Sequence, residues 1–340
     1  MSDLIRIGVI GAGGNTRLRH IPGLLALPGI EIVAVCNRSV ASAQAVCDEF
    51  SIPRACATPD EVIGADDVDA IVIGTWPNMH ATLTCAALEA GKHVMCEARM
   101  ARNVAEAMRM LQASQAHQEL VAQIVPAPFS LTHDDAIQRV VADRLGPLRS
   151  VRMELLSSAP DETQPKRTWR LDRELSGNNI MGVGIWYETV MRWVGPVASV
   201  QARLMTHRPQ GTDPQMGESV PIEVPDHVEA VGQMACGGLF SMTAHSVAKA
   251  DAGNRITLTG RDGVLVYADG EARFSAGDGN WQTLEGDPAK GWRVEAEFIG
   301  AIRGTEPIKL TDFQTGLRYM RFTDALHESD REGQAVTVTA

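Results

Sequence analysis

The chain has no C-x-x-C pair among its six cysteines, Cys36, Cys47, Cys56, Cys85, Cys96 and Cys236. Five of them fall in the first third, a distribution that suits reduced thiols in a cytosolic protein better than a disulfide framework or a zinc site. No metal centre is expected. No apolar stretch approaches the roughly 20 residues of a membrane span. The opening "MSDLIRIGVIGAGG" lacks the basic start and apolar run of a signal peptide. The expected location is the cytoplasm. Runs of one charge sign are also missing, and the formal net charge of -11 argues against nucleic acid or an anionic membrane as the main partner. Aromatic residues are sparse, and there is neither an internal repeat nor a low-complexity tail. At 340 residues the chain is long enough for two domains with separate cores.

What is present begins with a strand-like run, Ile5 to Ile10, that leads directly into Gly11-Ala12-Gly13-Gly14-Asn15. A strand, a glycine turn and a helix form the phosphate end of a dinucleotide-binding unit. Gly11 permits the tight turn, Gly13 lets the backbone approach a pyrophosphate, and the following helix offers N–H groups to the anion. The third fingerprint position carries Thr16 in place of Gly or Ala. A second strand, Glu31 to Cys36, ends in Asn37-Arg38-Ser39, where an acidic residue would bind the ribose 2′-hydroxyl of NAD. Arg38 and Ser39 fit a 2′-phosphate instead. NADP is therefore the expected cofactor and NAD the alternative. The competing reading makes Arg38 a solvated loop cation.

Further strand–helix alternation follows: "VDAIVIGT", "ATLTCAALEAG", "HVMCE", a helix capped by Asn103, and "LVAQIV". Near-continuous apolar strands between helices predict a parallel sheet covered on both faces. Ligands sit beyond the carboxyl ends of such strands. The residues leaving those ends are Gly11, Asn37, Thr75-Trp76-Pro77, Glu97-Ala98-Arg99 and Pro126. After Pro126 a helix near Thr132–Leu145 precedes several alternating strands, which predict a large, mostly antiparallel open sheet. A helix from about Gly177 to Val194 interrupts them, Pro209–Pro225 reads as a long exposed loop, and two helices near Val294–Arg303 and Phe313–Ser329 close the chain. The fold class is α/β, with a dinucleotide-binding domain over 1–125 and a substrate-binding and oligomerisation domain over 126–340. An open sheet face left uncovered is an exposure problem that pairing two copies solves, so a homodimer or homotetramer is expected.

Three stretches together resemble the Gfo/Idh/MocA family: "GTWPNMHATLTCAALEAGKHVMCE", "TWRLDRELSGNNIMGVGIWYETVMRWVG" and the closing segment from "EFIGAIRGTEPIKL" onward. The resemblance covers nearly the whole chain. It implies a Rossmann domain, a nicotinamide cofactor, and oxidation or reduction at a hydroxyl-bearing or carbonyl carbon of a sugar, polyol or related molecule. It also implies a Lys, an Asp and a His for proton transfer, and all three are replaced. Glu97 remains, but Ala98 stands at the lysine and Arg99 at the following proline. Gly182 matches the aspartate, Trp186 the histidine and Thr189 a final aspartate.

Candidates to replace them are Tyr187, whose phenol can act as acid or base near a guanidinium, with Arg99 as that cation, and Glu188. Arg170, Trp169, Trp186 and His245 are candidate substrate contacts. His80 is placed beside the cofactor, with Trp76 near its rings. Each has a plainer reading: Tyr187 and Trp186 as helix packing, Glu188 as a solvated residue, His245 as a structural histidine, Arg99 as a partner of Glu97. Loss of the three motif residues also admits a non-catalytic nucleotide- or sugar-binding regulator, or a cofactor-retaining glycoside hydrolase or lyase.

Overall fold

The computed structural model of the chain describes residues 4–158, 165–250 and 253–338. The chain divides into two compact units, Met1–Pro126 with Arg293–Leu317, and Ala127–Trp292 with Arg318–Ala340.

The first unit is built on six strands: β1 (Ile5–Ile10), β2 (Ile30–Cys36), β3 (Ala55–Cys56), β4 (Ala70–Ile73), β5 (His93–Cys96) and β6 (Ala122–Ile124). Every pair is parallel and the order is β3-β2-β1-β4-β5-β6. The order reverses between β1 and β4, so their carboxyl ends form the switch point where such sheets bind ligands. All four residues of β4 are buried, as expected for a strand covered on both faces. The connecting helices are α1 (Ile21–Leu25), α2 (Val40–Phe50), α3 (Pro59–Ile63), α4 (Pro77–Glu89) and α5 (Val104–Ala116). Ser39, Thr58 and Asn103 cap α2, α3 and α5 by accepting a backbone N–H three residues on.

The second unit carries α6 (Asp134–Asp143), α7 (Arg173–Ser176) and α8 (Val183–Val194). Its nine-stranded sheet contains β7 (Leu148–Ser158), β8 (Val197–Met205), β11 (His227–Met234), β12 (Leu239–Ala248), β13 (Gly253–Gly260), β14 (Val264–Ala268), β15 (Glu271–Ser275), β16 (Gln282–Leu284) and β17 (Val336–Thr337). The order is β16-β15-β14-β13-β7-β12-β11-β8-β17, and only β7 with β12 is parallel. The expected loop over 209–225 holds a small hairpin of its own, β9 (Gln210–Thr212) and β10 (Ser219–Pro221). Pro221 and the shortness of both strands hide it from pattern reading. The helix expected from Gly177 starts only at Val183, because Gly177 and Met181 take positive φ angles of 66° and 46°.

The closing region holds α9 (Val294–Ile302) and the long helix α10 (Phe313–Glu332). Tyr187 of α8 stacks on Phe322 of α10 at 3.8 Å, and Phe322 meets Phe240 of β12 edge-on at 5.6 Å. Those contacts place both helices on the sheet face that carries Phe240, Met242 and Ala244. The other face exposes Leu239 at 69% and Val231 at 58%.

The first unit is not contiguous in sequence, unlike the single cut expected near residue 125. Thr311 exchanges two backbone hydrogen bonds with Ile124, and Glu297 of α9 accepts the N–H groups of Lys309 and Leu310 and the side-chain amide of Gln123. These bonds satisfy a strand edge that residues 1–125 alone leave open.

Candidate coenzyme and substrate sites

β1 delivers the chain to Gly11, which adopts a φ of +89°, and a Cβ there would lie 2.6 Å from the Thr75 nitrogen. The turn therefore needs glycine for both its backbone angle and its closeness to the next strand. The crest of the loop is different. A Cβ on Gly14 would meet nothing within 4 Å, and one on Gly13 only the Gly74 carbonyl at 3.8 Å. Open space above two glycines at the start of a helix fits a pyrophosphate. Thr16 is tolerated at the third position because β4 is followed by Gly74: a Cβ on Gly74 would lie 2.1 Å from the Thr16 hydroxyl oxygen. The bulk permitted on one side is removed from the other.

At the end of β2 the Asn37 side chain is used structurally. Its Oδ1 accepts the Ala12 N–H at 2.8 Å, and its Nδ2 donates to the Ser42 carbonyl. Ser39 caps α2 and bonds the Ser42 hydroxyl. Arg38 is exposed, with its guanidinium 5.2 Å from the centre of the Trp76 ring. Asn37 thus sets the glycine turn, while Arg38 and the two serine hydroxyls present the polar surface.

His80 ties two strand ends together. It is fully buried, with Nδ1 2.9 Å from the Arg99 carbonyl and Nε2 3.0 Å from the Thr75 carbonyl. Burial lowers its pKa. Arg99 follows a cis peptide from Ala98 and is 5% exposed, so it is not a solvated loop cation. Glu97 belongs to a buried cluster that sequence reading missed. Its Oε1 accepts from Asn15 and lies 3.0 Å from His20 Nε2, while His20 Nδ1 lies 2.6 Å from Glu295. Burial opposes a charge on His20, but the two carboxylates outweigh it and raise its pKa to about 9. Burial likewise opposes the Glu97 charge, and His20 with Asn15 holds its pKa below the ordinary value. Asn15 is therefore bound to Glu97 through its side chain.

In the second unit, Tyr187 is fully buried and its hydroxyl accepts the Val197 N–H at 2.8 Å. The phenol points to the C-terminal end of α8, where a cavity of about 520 Å³ is lined by Pro196, Val197, Arg318 and Val338. Burial pushes its pKa well above the ordinary value. The expected acid–base role is corrected on the geometry: the phenol is fully buried and its hydroxyl is already engaged with a backbone donor. Tyr187→Phe should leave kcat and KM unchanged and cost about 1–3 kcal/mol of stability, since Val197 keeps a buried N–H without its acceptor. Parallel assays of turnover and urea unfolding check this.

Glu188 is corrected in the same way. It is 1% exposed, and its Oε2 accepts the Ala127 N–H at 2.6 Å. His245 sits in register with His227, and their rings are 5.3 Å apart. Strand alternation puts His245 on the face opposite Ala244, hence opposite α8, so it does not share a site with Trp186. Arg170 is exposed, its guanidinium over the Trp169 ring at 4.2 Å. Trp186 lies against Gly182: a Cβ at 182 would come 3.3 Å from its indole. Its ring also meets Tyr267 at 6.5 Å and, more closely, Phe129, which sequence reading did not single out. The two rings stack at 3.7 Å with 6° between their planes. Thr189 donates to the Ile185 carbonyl and accepts from Arg192.

Among the described residues no cluster of His, Cys, Asp and Glu is arranged to hold a metal, and no helix is long and apolar enough to cross a membrane.

Comparison with known proteins finds two matching family descriptions. "Oxidoreductase family, NAD-binding Rossmann fold" (GFO_IDH_MocA) covers residues 5–124, and "GFO/IDH/MocA C-terminal domain" covers residues 133–266. Among curated relatives, a D-xylose 1-dehydrogenase (NADP(+)) of Haloferax volcanii is 26% identical over 97% of this chain and 98% of its own length. An inositol 2-dehydrogenase of Agrobacterium fabrum is 34% identical over 42% of this chain and 43% of its own. The solved structure of a levoglucosan dehydrogenase with NADH and L-sorbose shares the fold, with a TM-score of 0.88 at 21% identity, covering 98% of this chain and 99% of that one.

Proposed function

Because the chain belongs to the GFO/IDH/MocA family of NAD(P)-dependent oxidoreductases, we propose that it uses NADP(H) in preference to NAD(H) and acts on a hydroxyl or carbonyl carbon of a sugar, polyol or similar small molecule. The observation that carries the coenzyme reading is the end of β2. Asn37 is neutral and committed to the Ala12 N–H, so no carboxylate is offered to a 2′-hydroxyl. Arg38 stands exposed beside Ser39 and the Trp76 ring, which suits a 2′-phosphate and an adjoining adenine. When bound, the nicotinamide supplies the hydride chemistry. The chain contributes the open glycine crest, the Arg38 guanidinium and the strand ends held in place by His80 and Asn37.

Carbohydrate substrates are supported by relatives named for xylose and inositol. The proton-transfer site is atypical in this reading. Ala98, Gly182 and Trp186 carry no group that titrates near neutral pH, and Tyr187 and Glu188 are engaged in packing. The uncovered sheet face, with Leu239 and Val231 exposed, supports a homo-oligomer.

The test is coenzyme titration followed by a screen of sugars, cyclitols and hydroxy acids, read by the absorbance of the reduced nicotinamide. Arg38→Ala should raise the KM for NADP roughly 10- to 100-fold, the value of one or two charge-assisted hydrogen bonds, and leave the KM for NAD within about twofold. Equal losses for both coenzymes would remove Arg38 from the phosphate site.

A further inference from the structure

Four side chains are spent on holding one short loop. Ala127-Pro128-Phe129-Ser130 follows β6, and side chains hold the N–H groups of Ala127 and Ser130 and the carbonyls of Ala127 and Phe129. Glu188 accepts the Ala127 N–H. Arg192 donates to the carbonyls of Ala127 and Phe129. The Tyr267 hydroxyl accepts the Ser130 N–H, and the Ser130 hydroxyl donates to Asp134, which also takes the Trp193 indole N–H. Glu188, Tyr267 and Asp134 are buried, and the Arg192 side chain is 6% exposed. Buried polar groups are costly unless fully used. Here they hold the loop that carries the partly exposed Phe129 next to the exposed Pro128.

Phe129 lies flat on Trp186 at 3.7 Å, and Trp186 is 8% exposed. Behind Trp186 lies Gly182, where a Cβ would come 3.3 Å from the indole, a tight contact that glycine avoids. The result is a rigid two-ring wall with the phenylalanine outermost, and a wall of this kind can neither give nor take a proton.

We propose that the Phe129–Trp186 stack is the specificity-determining wall of the substrate site, selecting a six-membered ring, a cyclitol or pyranose, over an open-chain polyol. This rests on the proposed function, which takes the substrate as a sugar or polyol and Trp186 as standing at the family's proton-transfer position. A preformed flat apolar surface packs against the C–H face of a ring, while polar groups elsewhere fix its hydroxyls. An open-chain polyol has no such face until each of its rotors is frozen, and that ordering weakens binding.

The experiment compares myo-inositol and sorbitol, which carry the same number of hydroxyls, at saturating NADP with the wild-type protein and with Phe129→Leu, Phe129→Tyr and Trp186→Phe. Pyranoses serve as further ring substrates. Wild-type kcat/KM should favour the ring. In Phe129→Leu, which keeps apolar bulk and loses the flat face, the ring-to-chain ratio should fall roughly tenfold or more through KM. The coenzyme KM should stay unchanged. Phe129→Tyr and Trp186→Phe, which keep a stack, should retain most of the preference. A wild-type ratio near one, or a ratio indifferent to residue 129, overturns this inference and leaves the carbohydrate reading standing. Absence of turnover with every sugar and polyol overturns the carbohydrate reading and this inference with it.

Discussion

Gly11→Ala is expected to lower stability by about 3 kcal/mol or more and to abolish coenzyme binding. Two independent effects add. The φ of +89° is one that a residue with a side chain adopts only under strain, and the new methyl would sit 2.6 Å from the Thr75 nitrogen and 2.8 Å from the Gly74 carbonyl carbon. Neither neighbour is the end of a flexible side chain. Both are backbone at the carboxyl end of β4, in the middle of the sheet, so relief requires moving a buried strand. Gly14→Ala makes the matched comparison. Its methyl meets no protein atom within 4 Å, and alanine favours a helix start over glycine. Stability should hold or rise slightly, while coenzyme affinity falls because the methyl enters the space left for the pyrophosphate. Urea unfolding and coenzyme titration of the two variants separate the roles. A Gly11→Ala protein with an unchanged unfolding midpoint would refute the strain argument.

His20→Ala is expected to cost about 3–5 kcal/mol at neutral pH, because it leaves Glu97 and Glu295 buried together without their cation. The pH dependence should change sign as well. In the wild-type protein the His20 pKa rises from 6.5 to about 9 on folding. Its contribution, roughly 3 kcal/mol by linkage, is complete below pH 6.5 and is lost as pH rises through 9. Glu97 works at the other end: its pKa is lowered from 4.5, so its contribution is present above that value and lost on acidification. The wild-type cluster is therefore most stabilising between about pH 4.5 and 6.5. In His20→Ala two buried carboxylates repel, and acidification below neutral should restore stability. His20→Gln keeps a donor without the charge and should fall between the two. Unfolding free energies measured from pH 4.5 to 9.5 decide it. Parallel curves for wild type and variant would mean that His20 is neutral in the folded protein.

The elements of the first unit were legible because each is a local pattern: buried strands are unbroken apolar runs, and glycine or a capping side chain marks each boundary. The parallel-sheet rule alone then placed Gly11, Asn37, Thr75 and Glu97 at strand ends. What the sequence hid is partnership across long separations. His20 and Glu295 are 275 residues apart, and nothing local distinguishes His20 from a solvated histidine in a basic stretch. Tyr187 and Glu188 were misread for the same reason. On a helix, adjacent residues point in different directions, and only the packing of Phe322 against Tyr187 and of the Ala127 loop against Glu188 shows where each one goes. Phe129 gave no signal because its stacking depends on a ring 57 positions away in the chain. Gly182 and Trp186 were matched through the family resemblance, and their spacing of four residues does bring them together at the start of α8.

The return of residues 293–317 to the first unit has a consequence for how the protein is made. The partner of His20, the cover for the β6 edge and the cap supplied by Glu297 all lie in that segment. A ribosome that has released β1 to β6 has produced a nucleotide fold with a raw edge and a histidine lacking one of its two carboxylates. The nascent unit must wait through the synthesis of residues 127–292 before its last piece emerges. A chain cut after residue 126 is for the same reason an unfinished domain, and a shuttle of coenzyme-binding halves between relatives must carry both segments together.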